Sequence, residues 1–257
     1  MTAGFGTRHY RARAAVTAQC DAHGRTRLTR LRSDGPLAVR EAAGAVYLIG
    51  AAAGPLGGDD LGLDLEVGPG ARLVIRSAAT TLTLPGDGES RFTVRARVGA
   101  GGHLDFAPEP TVAAAGCHHR ALAEITLSRG ATLRWYEELI LGRHQERPGR
   151  HTSRLDVTVD DVPLLRHELR LDDPQTYGSG AVLGAARAAG TVLLAGHGLI
   201  EQPVTGDGLV VMPLAGPGVL VSAMAENSAV LRRRLHQGET ASHVAGQDAQ
   251  VPAVSLG

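Results

Sequence analysis

Three segments of the chain align without gaps at an interval of about thirty residues, the spacing of a stacked repeat. They are "LGLDLEVGPGARLVIRS" from Leu61, "FTVRARVGAGGHLDFAP" from Phe92 and "ALAEITLSRGATLRWYE" from Ala121. In each, apolar side chains alternate into a turn: Leu61, Leu63, Leu65 and Val67; Phe92, Val94, Ala96 and Val98; Ala121, Ala123, Ile125 and Leu127. Alternation resumes beyond the turn through Leu73, Leu104 and Leu133. A period of two gives a strand one buried face. A strand-turn-strand unit cannot cover that face alone, so the copies must stack on one another. The pattern therefore predicts a mainly β chain, elongated, with a stacked β-layer, solenoid-like architecture. A weaker fourth copy, "LDVTVDDVPLLRHELRL" from Leu155, sets Asp160-Asp161 where the glycine turn stands, and Asp also turns a chain by bonding to its own backbone.

Helix signals are confined to the C-terminal third. "SGAVLGAARAAG" (Ser179 to Gly190) is Ala-rich and ends at glycine, and "AMAENSAVLRRRLHQG" (Ala223 to Gly238) puts Met224, Leu231 and Leu235 on one stripe. About two helices are expected. The whole chain, 1–257, reads as one domain with a β-rich core over about 24–174, a helix-containing part over about 175–238 and a flexible tail over 239–257.

The 26 basic residues are all arginine and are matched by 26 acidic ones. That balance argues against nucleic acid as the main partner. Lack of lysine excludes phosphate loops of the Gly-Lys-Ser/Thr type and Schiff-base chemistry. The longest apolar run, "AVYLIGAAAGPLG", is broken by Gly50, Gly54 and Pro55 well short of the ~18 residues of a membrane span. Two cysteines, Cys20 and Cys117, are too few for a secreted disulfide framework. With no apolar leader at the N-terminus, a cytoplasmic location is expected. An aromatic content of 3% fits a narrow core of Val, Leu and Ala.

Candidate sites are few. "GPLGGDDL" (Gly54 to Leu61) leads into a strand rather than a helix and carries neither a phosphate-loop ending nor calcium-ligand spacing, so it reads as a turn. "GCHHR" gathers Cys117, His118 and His119, but neighbours in a strand face opposite ways, so at most Cys117 and His119 share one ion. Two ligands make a transfer point. No Gly-x-Ser-x-Gly elbow is present. Acidic pairs at Asp105 with Glu109 and at Glu137-Glu138 serve acid-base work only if a cleft brings them together. "LILGRHQERPGRH" breaks the β pattern with an Arg-rich loop suited to partner contact.

With the repeats in order, the chain resembles the urease accessory protein UreD (UreH) family. The likeness is carried by "GRTRLTRLRSDGPLAVRE", by "GGDDLGLDLEVGPGARLVIRSAATTL" and by "HLDFAPEPTVAAAGCHHRALAEITLSRGATLRWYEELILGR", about Gly24 to Pro174, with a looser match at "VLVSAMAENSAVLRRRL". The sequence departs from the family pattern at Asp105-Phe106-Ala107, at Glu109-Pro110, at Thr81-Leu82, after "LGR", and at Ser222. The resemblance implies a non-catalytic scaffold, a maturation chaperone acting with UreF and the GTPase UreG on apo-urease. Nickel, delivered by UreE, would pass transiently to the urease centre with GTP hydrolysis, and no cofactor would be tightly bound. On that reading Asp60, Asp105, Glu109 and Glu138 are candidate passage carboxylates and Arg143 and Arg147 candidate contacts to an acidic partner, while Cys117 and His119, for which the family pattern asks no ligand, stay a secondary nickel contact on their own chemistry. A relay favours weak ligands, since each tenfold of affinity adds ~1.4 kcal/mol to the escape barrier. The alternatives are a β-solenoid carbohydrate-active enzyme, for which Trp135 and four tyrosines offer few stacking platforms, and an unrelated β-rich interaction module.

Overall fold

A computed structural model describes residues 9–51, 54–196 and 198–243. The strands are β1 (Arg11–Cys20), β2 (Thr26–Arg32), β3 (Leu37–Ala42), β4 (Ala45–Gly50), β5 (Asp60–Val67), β6 (Arg72–Ser77), β7 (Thr81–Thr83), β8 (Ser90–Val98) and β9 (His103–Phe106). They continue as β10 (Thr111–Ala113), β11 (His118–Leu127), β12 (Thr132–Ile140), β13 (Arg150–Val159) and β14 (Val162–Leu171), followed by the one-turn helix α1 (Pro174–Tyr177). Beyond it come β15 (Ala188–Ala195), β16 (Val204–Gly206), β17 (Leu209–Pro213), β18 (Gly218–Ala225) and the helix α2 (Ser228–Ala241).

The repeats stack as the alternation requires. β5, β8, β11 and β13 pair in parallel, with Leu61 opposite Phe92, Phe92 opposite Ala121 and Ala121 opposite Ser153. Across each turn the chain crosses to a second sheet, where β6, β9 and β12 also pair in parallel, with Leu73 opposite Leu104 and Leu104 opposite Leu133. The two sheets, ordered β14-β13-β11-β8-β5-β1-β2 and β16-β17-β18-β15-β12-β9-β6-β4-β3, enclose one core between their inner faces. The class is mainly β, solenoid-like, as the repeats predict. On the outer face of the first sheet, rungs carry opposite charges in register, and Arg95 meets Glu124 at 2.8 Å while Arg97 meets Glu66 at 3.4 Å. Such directly opposed pairs fix register more than they stabilise.

The fourth copy behaves differently. β13 stacks like its predecessors, but Asp160 and Asp161 both take positive φ (45° and 63°), and the chain returns as β14, antiparallel in the same sheet. Two residues in that conformation make a hairpin turn, whereas the longer glycine turns make a corner between sheets. Parallel stacking ends here. In the second sheet β15 and β18 continue antiparallel, Leu133 facing Ala195 and Val192 facing Val221.

The helix expected over Ser179–Gly190 does not form: turns run through this stretch and Ala188 opens β15, because Ala189 and Val192 are needed in the sheet. α1 lies just before it. The second helix begins five residues later than its stripe suggested, since Ala223–Ala225 complete β18 and Asn227 caps the helix by accepting from the Val230 amide at 3.0 Å. α2 buries Leu231, Leu235 and Gly238 against the outer face of the second sheet. A Cβ on Gly238 would stand 2.5 Å from Val221, so glycine is what lets the helix approach so closely. Of the tail expected from Glu239, residues 239–241 belong to α2, and 244–257 lie outside the described residues. No described helix is long and apolar enough to cross a membrane.

Candidate functional site

The inner face of the first sheet is a set of rows running across the rungs. Leu65, Ala96, Ile125 and Val157 form one row beside the turns, and Leu63, Val94, Ala123 and Leu155 form the next. Moving away from the turns come Leu61, Phe92, Ala121 and Ser153, and finally Ser90, His119 and His151. Away from the turns, β11 and β13 thus turn to small side chains at Ala123, Ala121 and Ser153 and then to polar ones at His119 and His151. Facing sheets sit about 10 Å apart whatever fills them, so Ala121, Ala123 and Ser153 leave space. The space is a cavity of about 750 Å³, bounded on the second sheet by Phe106, Trp135 and Glu137. Phe106 and Trp135 stack at 3.9 Å with planes 6° apart, and wall the cavity off from the packed turns.

Polar groups gather in this interior. His119 and His151 are each 3% exposed, and their rings lie 5.5 Å apart, tilted by 34°. The His119 Nδ1 is 2.8 Å from the Ser90 hydroxyl, and the His151 Nδ1 has no hydrogen-bond partner. Burial, and for His119 also the neighbouring His151 and His118, pushes the His119 pKa well below the ordinary imidazole range, and burial holds His151 down to about 4. His167, two rows nearer the turns on β14 and opposite Leu155, is lowered by burial too. Across the cavity, burial raises the Glu137 pKa, opposed by the hydrogen bond that the Trp135 indole N–H donates at 2.8 Å. What accessible surface Glu137 retains faces the cavity.

The second sheet is interrupted between β9 and β10, beside Glu137 and Glu138 of β12. The cavity lining continues there to Glu109 and Glu138. Arg232 of α2 bridges these two carboxylates, donating to Glu109 at 2.7 Å and to Glu138 at 2.8 Å. Glu138, whose side chain is 1% exposed, also accepts from Tyr136 at 2.6 Å and Ser228 at 3.2 Å. Desolvation and that carboxylate push the Tyr136 phenol far up, so it stays a donor.

Asp105 lies on the same outer face, gripped by Arg76 at 2.6 Å and Arg134 at 3.1 Å. Burial alone would raise its pKa, but the two guanidinium groups hold it below the usual carboxylate range. Arg134 in turn pairs with Glu239 of α2, which raises its own pKa further. The carboxylate of Asp105 thus ties helix to sheet. Asp60 points to the outer face of the first sheet, 3.4 Å from Arg13, while Leu61 points inward. The inward carboxylate of "GPLGGDDL" is Asp59, which lines the cavity and accepts from the Tyr10 and Leu56 amides at 2.9 Å.

Cys117 and His119 take different partners. Cys117 sits with Leu139, Leu141 and Leu171, its sulfur 3.3 Å from the Thr83 hydroxyl, and burial raises its pKa. His119 joins His151 instead. Arg143 is exposed but folded back on Glu146 at 2.6 Å within the "LGR" loop, whose Gly142 has φ +75° and no room for a Cβ beside the Glu146 carbonyl, 2.7 Å away. Arg147 is exposed on the same loop. Among the described residues no group of three or more His, Cys, Asp or Glu is arranged to hold a metal ion.

Asp59 and His151 escape a reading based on isolated motifs, and Glu137 is visible there only as half of the Glu137-Glu138 pair. His151 follows His119 by one rung of the ladder, but the fourth copy taken from Leu155 is two residues out of the true register, in which Ser153 faces Ala121, so that alignment sets His151 against Cys117 instead.

Comparison with known proteins gives a consistent result. The family model described as UreD urease accessory protein matches residues 10–255. A urease accessory protein UreD of Parafrankia sp. (strain EAN1pec) is 46% identical over 257 residues, covering 88% of this chain and 86% of the relative. Another, of Frankia casuarinae, is 41% identical over 282 residues, covering 89% of this chain and 88% of the relative. One of Streptomyces avermitilis is 40% identical over 203 residues, covering 76% and 81%.

Proposed function

Because the chain belongs to the UreD family of urease accessory proteins, we propose that it is a cytoplasmic scaffold that acts with UreF and the GTPase UreG in the GTP-dependent insertion of nickel into apo-urease. Its role is accessory rather than catalytic, in line with the names its relatives carry. The observation that carries this reading is the family match across almost the whole chain. Neither a carbohydrate-active enzyme nor an unrelated β-rich module has comparable support.

Nickel enters as cargo, handed on from UreE, and the interior cavity is the route we assign to it. Support comes from the lining: small residues give width, and polar groups are spaced along it rather than caged together. Spaced single or paired ligands let an ion move on, because no step traps it. Of the carboxylates named from the sequence, Glu109 and Glu138 stand at the interruption in the second sheet and suit a port, with Arg232 as their resident counter-charge. Asp60 and Asp105, on outer faces, suit partner contact and helix anchoring better than ion passage. Arg143 and Arg147 offer an exposed basic loop to an acidic partner surface.

The test is co-purification of the chain with UreF and UreG homologues, followed by activation of apo-urease at limiting nickel with and without it. Activation that depends on the chain, on UreG and on GTP is the expected result. Equal activation without the chain would remove the proposal.

A further inference from the structure

We propose that His119 and His151 form a two-imidazole site for a borderline divalent transition ion inside the cavity. The choice of nickel as that ion rests on the accessory reading above; the pairing of the two rings does not.

Three observations carry the site. First, the repeat builds it: β11 and β13 are parallel and in register, so His119 stands opposite His151 and both side chains project to the inner face, where they line the cavity. Rings tilted at a centroid separation of 5.5 Å leave room between their edges for one ion with metal–nitrogen bonds of about 2.1 Å.

Second, the Ser90 hydroxyl stands between two partners, 2.8 Å from His119 Nδ1 and 3.4 Å from the His118 carbonyl. In the tautomer in which His119 Nδ1–H donates to Ser90, the hydroxyl turns its own hydrogen to that carbonyl, and the His119 Nε2 lone pair is free as a ligand. A metal-binding histidine is generally held in this way, its other ring nitrogen donating to an oxygen that sets ring orientation.

Third, His151 carries an unsatisfied buried nitrogen. A buried polar atom without a partner costs about 1–3 kcal/mol and in native structures calls for an explanation. The Nδ1 of His151 has none in protein. Both rings are held neutral at physiological pH, the state that binds metals. Neighbouring His118 is different: it faces outward at 3.3 Å from Glu89 and 3.0 Å from Arg150. Adjacent residues on one strand thus separate an outer ion-pairing histidine from an inner ligand.

Two imidazoles without a third ligand bind weakly enough for release, as a transfer site requires. The full-length chain would be dialysed against nickel chloride near pH 7.5. One nickel equivalent is expected, weakened about tenfold or more in His119→Ala and in His151→Ala and unchanged within about twofold in His118→Ala. Ser90→Ala, which keeps both ligands but frees the ring, should fall between. Unaltered nickel binding in both His119→Ala and His151→Ala, or an equal loss in His118→Ala, overturns the site.

Should the alanine variants not fold, histidine-selective ¹⁵N NMR of the unmodified chain decides instead. Substoichiometric nickel should broaden the His119 and His151 ring signals before those of His103 and His118, and the reverse order overturns the site. If apo-urease activation proves not to need the chain while nickel still binds these rings, the site stands and the accessory reading falls. If activation needs the chain while neither variant changes nickel binding, the site falls and the accessory reading stands.

Discussion

The same stacked strands are packed in two ways along their length. Beside the turns, Leu65, Leu73, Leu104, Leu127 and Leu133 interlock with almost no exposure. Six and eight residues before Leu127 on β11, Ala121 and His119, with their ladder partners Ser153 and His151 on β13, leave a cavity with polar walls. Backbone pairing is continuous through both regions, so the ladder does not depend on the core at the far end. Once enough rungs are locked at the turns, the other end is released from packing duty and can carry chemistry.

The largest expected effect breaks the packed region. Leu104→Ala removes a fully buried side chain from between two neighbouring rungs, and should destabilise by about 2–5 kcal/mol in urea unfolding. A loss under about 1 kcal/mol would mean the turn end is as loosely filled as the cavity end, and the contrast would disappear.

Acid should next single out the cavity end. His151 is held down to about 4 in the folded chain, against about 6.5 when unfolded. The unfolded state takes up the proton first, so stability is full above about pH 6.5 and falls as pH drops toward 4, by roughly 3 kcal/mol for this group. Burial shifts His119 and His167 in the same direction. Urea midpoints measured from pH 7.5 to 4.5 should show this slope, and it should shrink in His151→Phe. A slope unchanged by that substitution would place the acid sensitivity elsewhere.

Outside both regions, the charge bridge between α2 and the second sheet should yield intermediate effects. Asp105→Ala leaves Arg76 and Arg134 half-buried without their shared carboxylate, at a cost of about 2–3 kcal/mol after allowing for partial exposure. Glu239→Ala, which cuts only the helix-side partner of Arg134, should cost about 1 kcal/mol. If Glu239→Ala proves the more damaging, the bridge anchors the helix rather than the sheet.

How much of this was legible in the sequence follows from the range of each signal. The rungs were, because alternation and a repeated turn are local and recur; Leu61, Phe92 and Ala121, which head the three copies, are true ladder partners. The hairpin at Asp160-Asp161 was not separated from a corner, since turn handedness depends on φ values that Asp shares with other turn types. Ser179–Gly190 looked helical because alanine propensity is a weak prior that tertiary pairing overrides. The site was legible only in part. His119 was visible as a candidate, but its partner is one rung away in space and 32 residues away in sequence, whereas nearby Cys117 belongs to another cluster. Asp60 was singled out where Asp59 faces inward, because the parity of a strand is set by the first buried residue and not by the turn before it.

The smallest effect sharpens the contrast most. Ala121→Val adds two methyl groups to a residue that is half-buried only because it faces the cavity. In the packed region an enlargement of that size costs about 1–3 kcal/mol through strain. Here space is already present and valine suits a strand, so stability should change by less than about 0.5 kcal/mol or rise slightly. Function should part company with stability, because the added bulk stands one row from His119 and His151. Nickel uptake by the full-length chain should slow severalfold while the urea midpoint holds. Destabilisation on the scale of a packed core would instead show that the cavity end closes up in solution, and that its polar groups are structural rather than poised for an ion.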